Sequence, residues 1–141
     1  MLSQTVEYAL RAVVYLAAES PVAQTTARIS AATQVPPAYL SKVLQGLRDA
    51  GLVRTQRGVK GGNALTRLPE EITILDVVNA VEPVQRIYTC PLDLSSHKRQ
   101  LCPLHARMDA ALANMEEAFR STTLAEVLAD PSRSRPLCDV L

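Results

Sequence analysis

Apolar residues recur at helical spacing in three stretches at the start of the chain. In the first stretch they are Val6, Ala9, Leu10, Val13, Val14 and Ala17. These repeats predict three helices, over about residues 3–19, 25–33 and 37–50. Thr25 or Thr26 can cap the second helix, and Gly51 suits the left-handed cap that ends the third.

The pattern then changes to that of a hairpin. Leu52 to Gln56 alternates like a strand, Asn63 to Arg67 forms the returning strand, and three glycines lie between them. Helix, short helix, turn, helix and hairpin is the order of a winged helix-turn-helix. The sequence therefore predicts a mainly α-helical fold with a small β-hairpin wing, in which residues 1–68 form a DNA-binding domain.

Residues 69–100 are predicted to connect this domain to a long helix. Thr73 stands three residues before Asp76, in the manner of a capping box that starts a short helix. Glu82 and Pro83 end that helix. The remaining residues, 84–100, have poor periodicity and are expected to form a loop.

A long helix is predicted from Leu101. Its apolar residues form a narrow seam of the coiled-coil kind, namely Leu101, Leu104, Met108, Leu112, Met115 and Phe119. A single small domain cannot cover this stripe but the same helix of a second copy can, so we expect a homodimer; packing on the chain's own first helix is the alternative. Residues 101–130 thus form a dimerisation helix and a last short helix capped by Thr123 and Glu126, and 131–141 a mobile tail.

Charge separates the two halves of the chain. Residues 1–68 hold eight Lys/Arg and three Asp/Glu, a net charge of +5, whereas residues 69–141 hold seven and eleven, a net charge of −4. A basic N-terminal half favours an anionic partner such as DNA.

The longest apolar run has seven residues, Ala12 to Ala18, where a membrane span needs about 20. With no signal peptide either, we expect a cytoplasmic protein with no membrane partner.

Candidate DNA contacts lie on the third helix and at the tip of the hairpin, with Arg28 added from the second helix. The start of such a third helix contacts base edges in the major groove. Glycines let the backbone of a hairpin come close to phosphates or enter a narrow minor groove, where arginine is favoured. A merely solvated face is the alternative. The predicted contacts are Arg28, Ala38, Tyr39, Ser41, Lys42, Gln45, Arg57, Lys60, Gly61 and Gly62.

Both histidines and two of the three cysteines cluster within sixteen residues, at Cys90, His97, Cys102 and His105. Thiolate and imidazole suit zinc or an iron–sulfur cluster. Cys102 and His105 are three residues apart at the start of the long helix, so they should share one face. Ordinary thiols and solvated histidines are the alternative. Cys138 stands alone and is expected to be a free thiol.

Three stretches resemble the Rrf2 family of bacterial transcription regulators. They are QTVEYALR at 4–11, YLSKVLQGLRDAGLV at 39–53 and RGVKGG at 57–62. The resemblance covers nearly all of residues 1–130. It implies a homodimeric winged-helix regulator, usually a repressor, that dimerises through the long helix and binds a palindromic operator in double-stranded DNA.

The resemblance also implies a cluster site, from which this chain departs. Cluster-binding members carry three cysteines spaced C-x5-C-x5-C just before the dimerisation helix. Here Cys90 and Cys102 match the outer two, but Ser96 stands in the middle position. Serine is a poor cluster ligand, so the ordinary three-cysteine site cannot form.

Three further residues are candidate ligands by this resemblance. His105 matches the fourth ligand of some members, Glu7 resembles in place a carboxylate that other members supply from the partner's first helix, and His97 could substitute for the missing cysteine. Such a set could hold an iron–sulfur cluster, 2Fe–2S rather than 4Fe–4S, or equally zinc, and some members hold no cofactor.

The expected function is therefore a regulator that responds to redox state, nitric oxide, iron or another metal through the Cys/His site. One alternative is a regulator with structural zinc or no cofactor, controlled by a small molecule or a partner protein. A zinc enzyme is the alternative from another class, but the site lacks a nearby general base and the wing would be left unexplained. We therefore expect no enzymatic activity.

Overall fold

The computed structural model describes residues 2–137, so the prediction for Cys138 lies outside the described residues. The helices are α1 (Gln4–Ala18), α2 (Thr26–Thr33), α3 (Pro37–Asp49), α4 (Ile74–Val81), α5 (Pro103–Arg120) and α6 (Leu124–Ala129), and the strands are β1 (Val53–Gln56) and β2 (Gly62–Leu65). Short 3₁₀ turns lie at Pro69–Glu71 and Ser95–His97. This order confirms the predicted fold class, a mainly helical winged helix-turn-helix with a hairpin wing.

Side-chain caps begin three helices, α2, α4 and α6, where the sequence places them. Thr25, rather than Thr26, caps α2, because its hydroxyl accepts a hydrogen bond from the backbone N–H of Arg28 at 3.2 Å. Reciprocal capping boxes begin α4 and α6, at Thr73 with Asp76 and at Thr123 with Glu126. These caps satisfy backbone N–H groups that a helix start otherwise leaves without partners.

The wing is a two-stranded antiparallel hairpin in which Val53 lies opposite Leu65. Both strands are shorter than predicted, and β1 does not alternate: Val53 is buried and the next three residues are exposed, because the hairpin projects beyond the core. At Gly62, with φ of 144°, a Cβ atom would come within 2.4 Å of the Gln24 carbonyl oxygen. Glycine at position 62 therefore lets the wing pair closely with the segment before α2.

One aliphatic core spans the predicted boundary at residue 68. α1 lies at its centre, where Ala9, Ala12 and Val13 are fully buried. Leu40 and Leu47 of α3 pack into the same core, as do three residues from beyond the boundary, Ile72, Val77 and Leu124. Half-buried Leu137, within the segment 131–141 that is predicted to be mobile, also packs against it. The connecting segment is thus packed on the same helix as the DNA-binding elements.

The long helix α5 lies outside this core. None of its eighteen residues is buried, although Leu112, Met115 and Phe119 are half-buried, and Leu104 is 62% exposed. α5 packs on α4, and it begins at Pro103 rather than Leu101, because Cys102 occupies the cap position before a first-turn proline. Within residues 2–137 no helix is long and apolar enough to cross a bilayer.

Candidate nucleic-acid interface and the Cys/His loop

The recognition helix α3 turns its predicted contact residues outward. Leu40, Val43, Leu44 and Leu47 are buried against the core, so the intervening positions face solvent. All five predicted contacts on this helix are exposed, namely Ala38, Tyr39, Ser41, Lys42 and Gln45. This face suits the major groove, because polar groups project from a rigid, core-anchored helix.

Two of these side chains have local hydrogen-bond partners. The Ser41 hydroxyl donates to the Pro37 carbonyl at 3.2 Å. The Gln45 amide donates to Asp49 Oδ1 at 2.7 Å and accepts from Arg48 at 3.2 Å. The Ser41 hydroxyl would therefore give up its bond to Pro37 if it donates to a base, whereas Gln45 keeps a second amide N–H and a second oxygen lone pair.

Tyr39 is supported from α1. Its ring packs edge-on against Tyr8 with 5.7 Å between centroids, and the Arg11 guanidinium lies 5.4 Å from the Tyr8 centroid. Arg11 also pairs with Glu7 at 3.0 Å and donates to the Thr33 carbonyl at 3.3 Å. Glu7 is thus exposed on α1 and bonded to a residue of its own helix, and its ligand role toward a partner subunit stays a prediction.

The wing tip presents two cations on a tightly folded turn. Arg57 and Lys60 are exposed, and the Gly61 N–H donates to the Gly58 carbonyl at 2.9 Å. A Cβ at Gly61 would lie 2.4 Å from the Gln56 carbonyl oxygen. The turn itself therefore requires glycine at position 61, and DNA binding is not needed to explain the glycine there.

An open cleft of about 760 Å³ separates the wing from the start of α2. Thr25, Thr26 and Thr55 line it together with Arg48 and Arg57, and no acidic residue does. This cleft suits an anionic strand that passes between the two elements.

Arg28, which is a predicted contact, lies outside this cleft, whereas Arg48, which is not a predicted contact, lies inside it. Arg28 is exposed on α2 but faces another hollow, lined by Tyr15 and Glu19. Arg48 lies in the cleft and is absent from the predicted contacts, since the sequence places it in the last turn of α3, where a basic residue suits the helix dipole. The signal that could have identified it is its position three residues after Gln45, on the same helical face.

Residues 84–102, which we call the Cys/His loop, and the first turn of α5 hold four donor side chains as two pairs. Cys90 Sγ lies 3.7 Å from His97 Nδ1, and Cys102 Sγ lies 3.4 Å from His105 Nδ1. The 3₁₀ turn at Ser95–His97 brings the first pair together, and the N-cap position of Cys102 brings its sulfur to the first turn of α5. A backbone hydrogen bond from Leu94, followed by the His97 side chain, lowers the pKa of the Cys90 thiol.

These pairs do not combine into a complete ligand set in this arrangement. Among residues 2–137, no three His, Cys, Asp or Glu side chains lie close enough together to hold a metal ion. Sulfur and imidazole nitrogen are the right donor chemistry for zinc or an iron–sulfur cluster, but each pair supplies two ligands. Each pair as it stands therefore falls short of a metal's ligand set, and binding a metal would require the loop to bring the two pairs together.

Comparison with known proteins identifies the chain. The sequence profile of the Rrf2 family, described as an iron-dependent transcriptional regulator, matches residues 2–130. The chain belongs to the Rrf2 family. The HTH-type transcriptional regulator NsrR of Geobacillus kaustophilus is 30% identical over 142 residues, which cover 96% of this chain and 95% of that protein.

Two solved structures share the fold of this chain. CymR, the global cysteine regulator of Bacillus subtilis, superimposes with a TM-score of 0.72 at 26% identity, over 89% of this chain and 94% of CymR. IscR of T. potens gives 0.76 at 24% identity, over 96% of this chain and 93% of IscR, which bears on the fold alone. The chain is thus a DNA-binding transcriptional regulator and not an enzyme.

In this Rrf2 protein, both ends of the Cys/His loop are fixed to α5. At one end, Arg86 donates to the two carboxylate oxygens of Asp109 at 2.7 and 2.8 Å and to Glu116 at 3.2 Å, while the Ile87 N–H donates to Asp109 at 2.9 Å. The Arg86 bond, followed by that of Ile87, lowers the pKa of Asp109 to about 2. At the other end, Cys102 occupies the N-cap position of α5 without a side-chain capping hydrogen bond, so the loop runs directly into the long helix.

Proposed function

We propose that this Rrf2 regulator is a homodimeric repressor that binds a palindromic operator and changes its DNA affinity when the Cys/His loop changes state. The observation that supports dimerisation is the eighteen-residue helix α5, which buries no residue within the chain although its seam carries large apolar side chains. A second copy of α5 would bury that seam. The dimer then presents two recognition helices to two half-sites.

The loop is the proposed signal-responsive segment. It carries Cys90, His97 and Cys102, it is hydrogen-bonded to α5 through Arg86, and it joins α5 at Cys102, whose sulfur lies against His105 of that helix. A change at either sulfur therefore changes the strain on the helix that sets the spacing of the recognition helices. The proposed signals are redox state, nitric oxide, iron or another metal, and an iron–sulfur cluster or zinc is the proposed ligand of the loop.

A regulator without a resident cofactor is the second candidate. It is favoured by the separation of the two Cys–His pairs and by Ser96, which is exposed on the 3₁₀ turn at the family's middle cysteine position. In that case the thiols, a small molecule or a partner protein would control the same loop.

Binding to duplex DNA tests the proposed DNA-bound state. We expect the anisotropy of a labelled duplex to rise on titration with the protein and the affinity to fall steeply with salt, because phosphate contacts release counterions. Affinity that is absent at low salt would contradict the proposal.

The metal content of cysteine variants tests the loop. Cys90→Ala and Cys102→Ala should each abolish metal retention, and the matched Cys138→Ala should not, because Cys138 stands alone in the sequence, outside the Cys/His cluster at 90–105. Ser96→Cys restores the family's three-thiol spacing and should retain an iron–sulfur cluster better than the parent, because thiolate is the softer ligand.

The measurement is metal and sulfide analysis with a visible absorption spectrum after anaerobic purification. Equal metal content in the parent and all four variants would rule out the Cys/His loop as the metal site, and a parent that retains none would rule out a resident metal. Either result leaves the second candidate. His97→Ala shows whether His97 has replaced the missing thiol, since it lowers metal content only in that case.

A further inference from the structure

Arg48 is a half-buried cation held by neutral partners. Its guanidinium donates to Asn63 Oδ1 at 3.2 Å and to Gln45 Oε1 at 3.2 Å. Among residues 2–137, the ion pairs do not include Arg48. A guanidinium has five N–H donors, so these two bonds leave donors, and the whole positive charge, for another acceptor.

Asn63 fixes that guanidinium to the wing. Its side chain is buried, and its amide nitrogen donates to the Gln24 carbonyl at 3.3 Å, which turns its oxygen toward Arg48. The backbones of Asn63 and Gln24 exchange two hydrogen bonds, at 2.7 and 2.8 Å, and the buried Gln24 side chain accepts from Tyr15 at 3.1 Å. The Asn63 oxygen is therefore set by a fully bonded buried network.

The cleft beside Arg48 has the chemistry of an anion site. Arg57 and the threonines at 25, 26 and 55 line it beside Arg48, and no acidic residue does. It opens between the wing and α2, next to the recognition helix. We propose that Arg48 binds a backbone phosphate of the DNA in this cleft, an inference that rests on the proposed DNA-bound state.

The same bonds explain why Arg48 suits this task better than a free surface cation. A side chain already fixed by two hydrogen bonds loses little rotamer freedom when it binds. Its planar fork can hold Asn63 with one nitrogen and a phosphate oxygen with others, which a lysine cannot do. Because a phosphate carries no sequence information, Arg48 adds affinity to every DNA sequence and fixes the register of the recognition helix.

The test compares Arg48→Ala with Arg67→Ala, which removes an equal charge from an exposed residue outside the cleft. Binding of the full protein to several unrelated duplexes is measured from low to high salt. Arg48→Ala should weaken binding to all of them by about tenfold. It should also reduce the salt slope, which is the slope of log affinity against log salt concentration, by about one. The affinity of Arg48→Lys should lie between that of Arg48→Ala and that of the parent. Arg67→Ala should bind with the affinity of the parent. Circular dichroism and the thermal midpoint show that each variant is folded.

Three results would overturn the inference. The first is an Arg48→Ala variant, or an Arg48→Lys variant if alanine prevents folding, with the affinity and salt slope of the parent. The second is a loss confined to particular sequences, which would assign Arg48 to the orientation of Gln45. The third is a parent that binds no DNA, which overturns the proposed function as well, whereas the first two leave it intact.

Discussion

Replacement of both Leu112 and Met115 by glutamate should convert the protein to monomers. Both side chains are only half-buried in the seam of α5, a helix of which no residue is fully buried within its own chain. An unpaired carboxylate in an apolar interface costs on the order of several kcal/mol, and a two-fold interface contains each change twice. Sedimentation velocity should show a shift from dimer to monomer.

The control is the double variant Ala110→Glu and Asn114→Glu, which adds the same charge to exposed positions of α5. It should remain a dimer. Because Leu112 and Met115 also line a cleft with Leu2 and Val6, the thermal midpoint must show that the monomer is folded. A folded seam variant that still sediments as a dimer would mean that α5 is not the interface.

Loss of both wing cations should weaken DNA binding by one to two orders of magnitude. Arg57 and Lys60 lie exposed on a turn whose shape depends on its glycines, so Arg57→Ala with Lys60→Ala leaves the backbone intact. The loss of two cation–phosphate or groove contacts should lower the salt slope by about two, for all sequences alike.

Arg133→Ala with Arg135→Ala is the matched control for charge, since both residues are exposed and far along the chain from the wing. Anisotropy titrations at several salt concentrations measure both double variants. A wing variant whose affinity and salt slope equal those of the parent would show that the wing does not contact DNA.

The helices could be predicted because each carries its own local signal. The periodicity of α1 and α3 identifies the faces that are buried, and the Thr–x–x–acid pairs at residues 73 and 123 form their predicted capping boxes. The ends of β1 and β2 were less predictable, because the wing leaves the core after Val53 and its pairing is limited by the contact of Gly62 with Gln24.

The site depends on contacts that sequence spacing does not encode. Arg48 becomes a cleft residue only because β2 brings Asn63, fifteen positions away, to its guanidinium. In the Cys/His loop, spacing shows that four donors are near one another but not that they separate into two pairs. That separation follows from the 3₁₀ turn that carries His97 and from Cys102 as the cap of α5.

Selection of duplexes from a random pool by the purified parent protein tests the central claim most directly. If the protein is a dimeric winged-helix regulator, the enriched sequences should share an inverted repeat whose half-sites lie about 34 Å, or a multiple of that distance, apart on one face of the DNA. Enrichment of single half-sites without symmetry would contradict the dimer, and a pool that stays random after repeated rounds would contradict sequence-specific regulation itself.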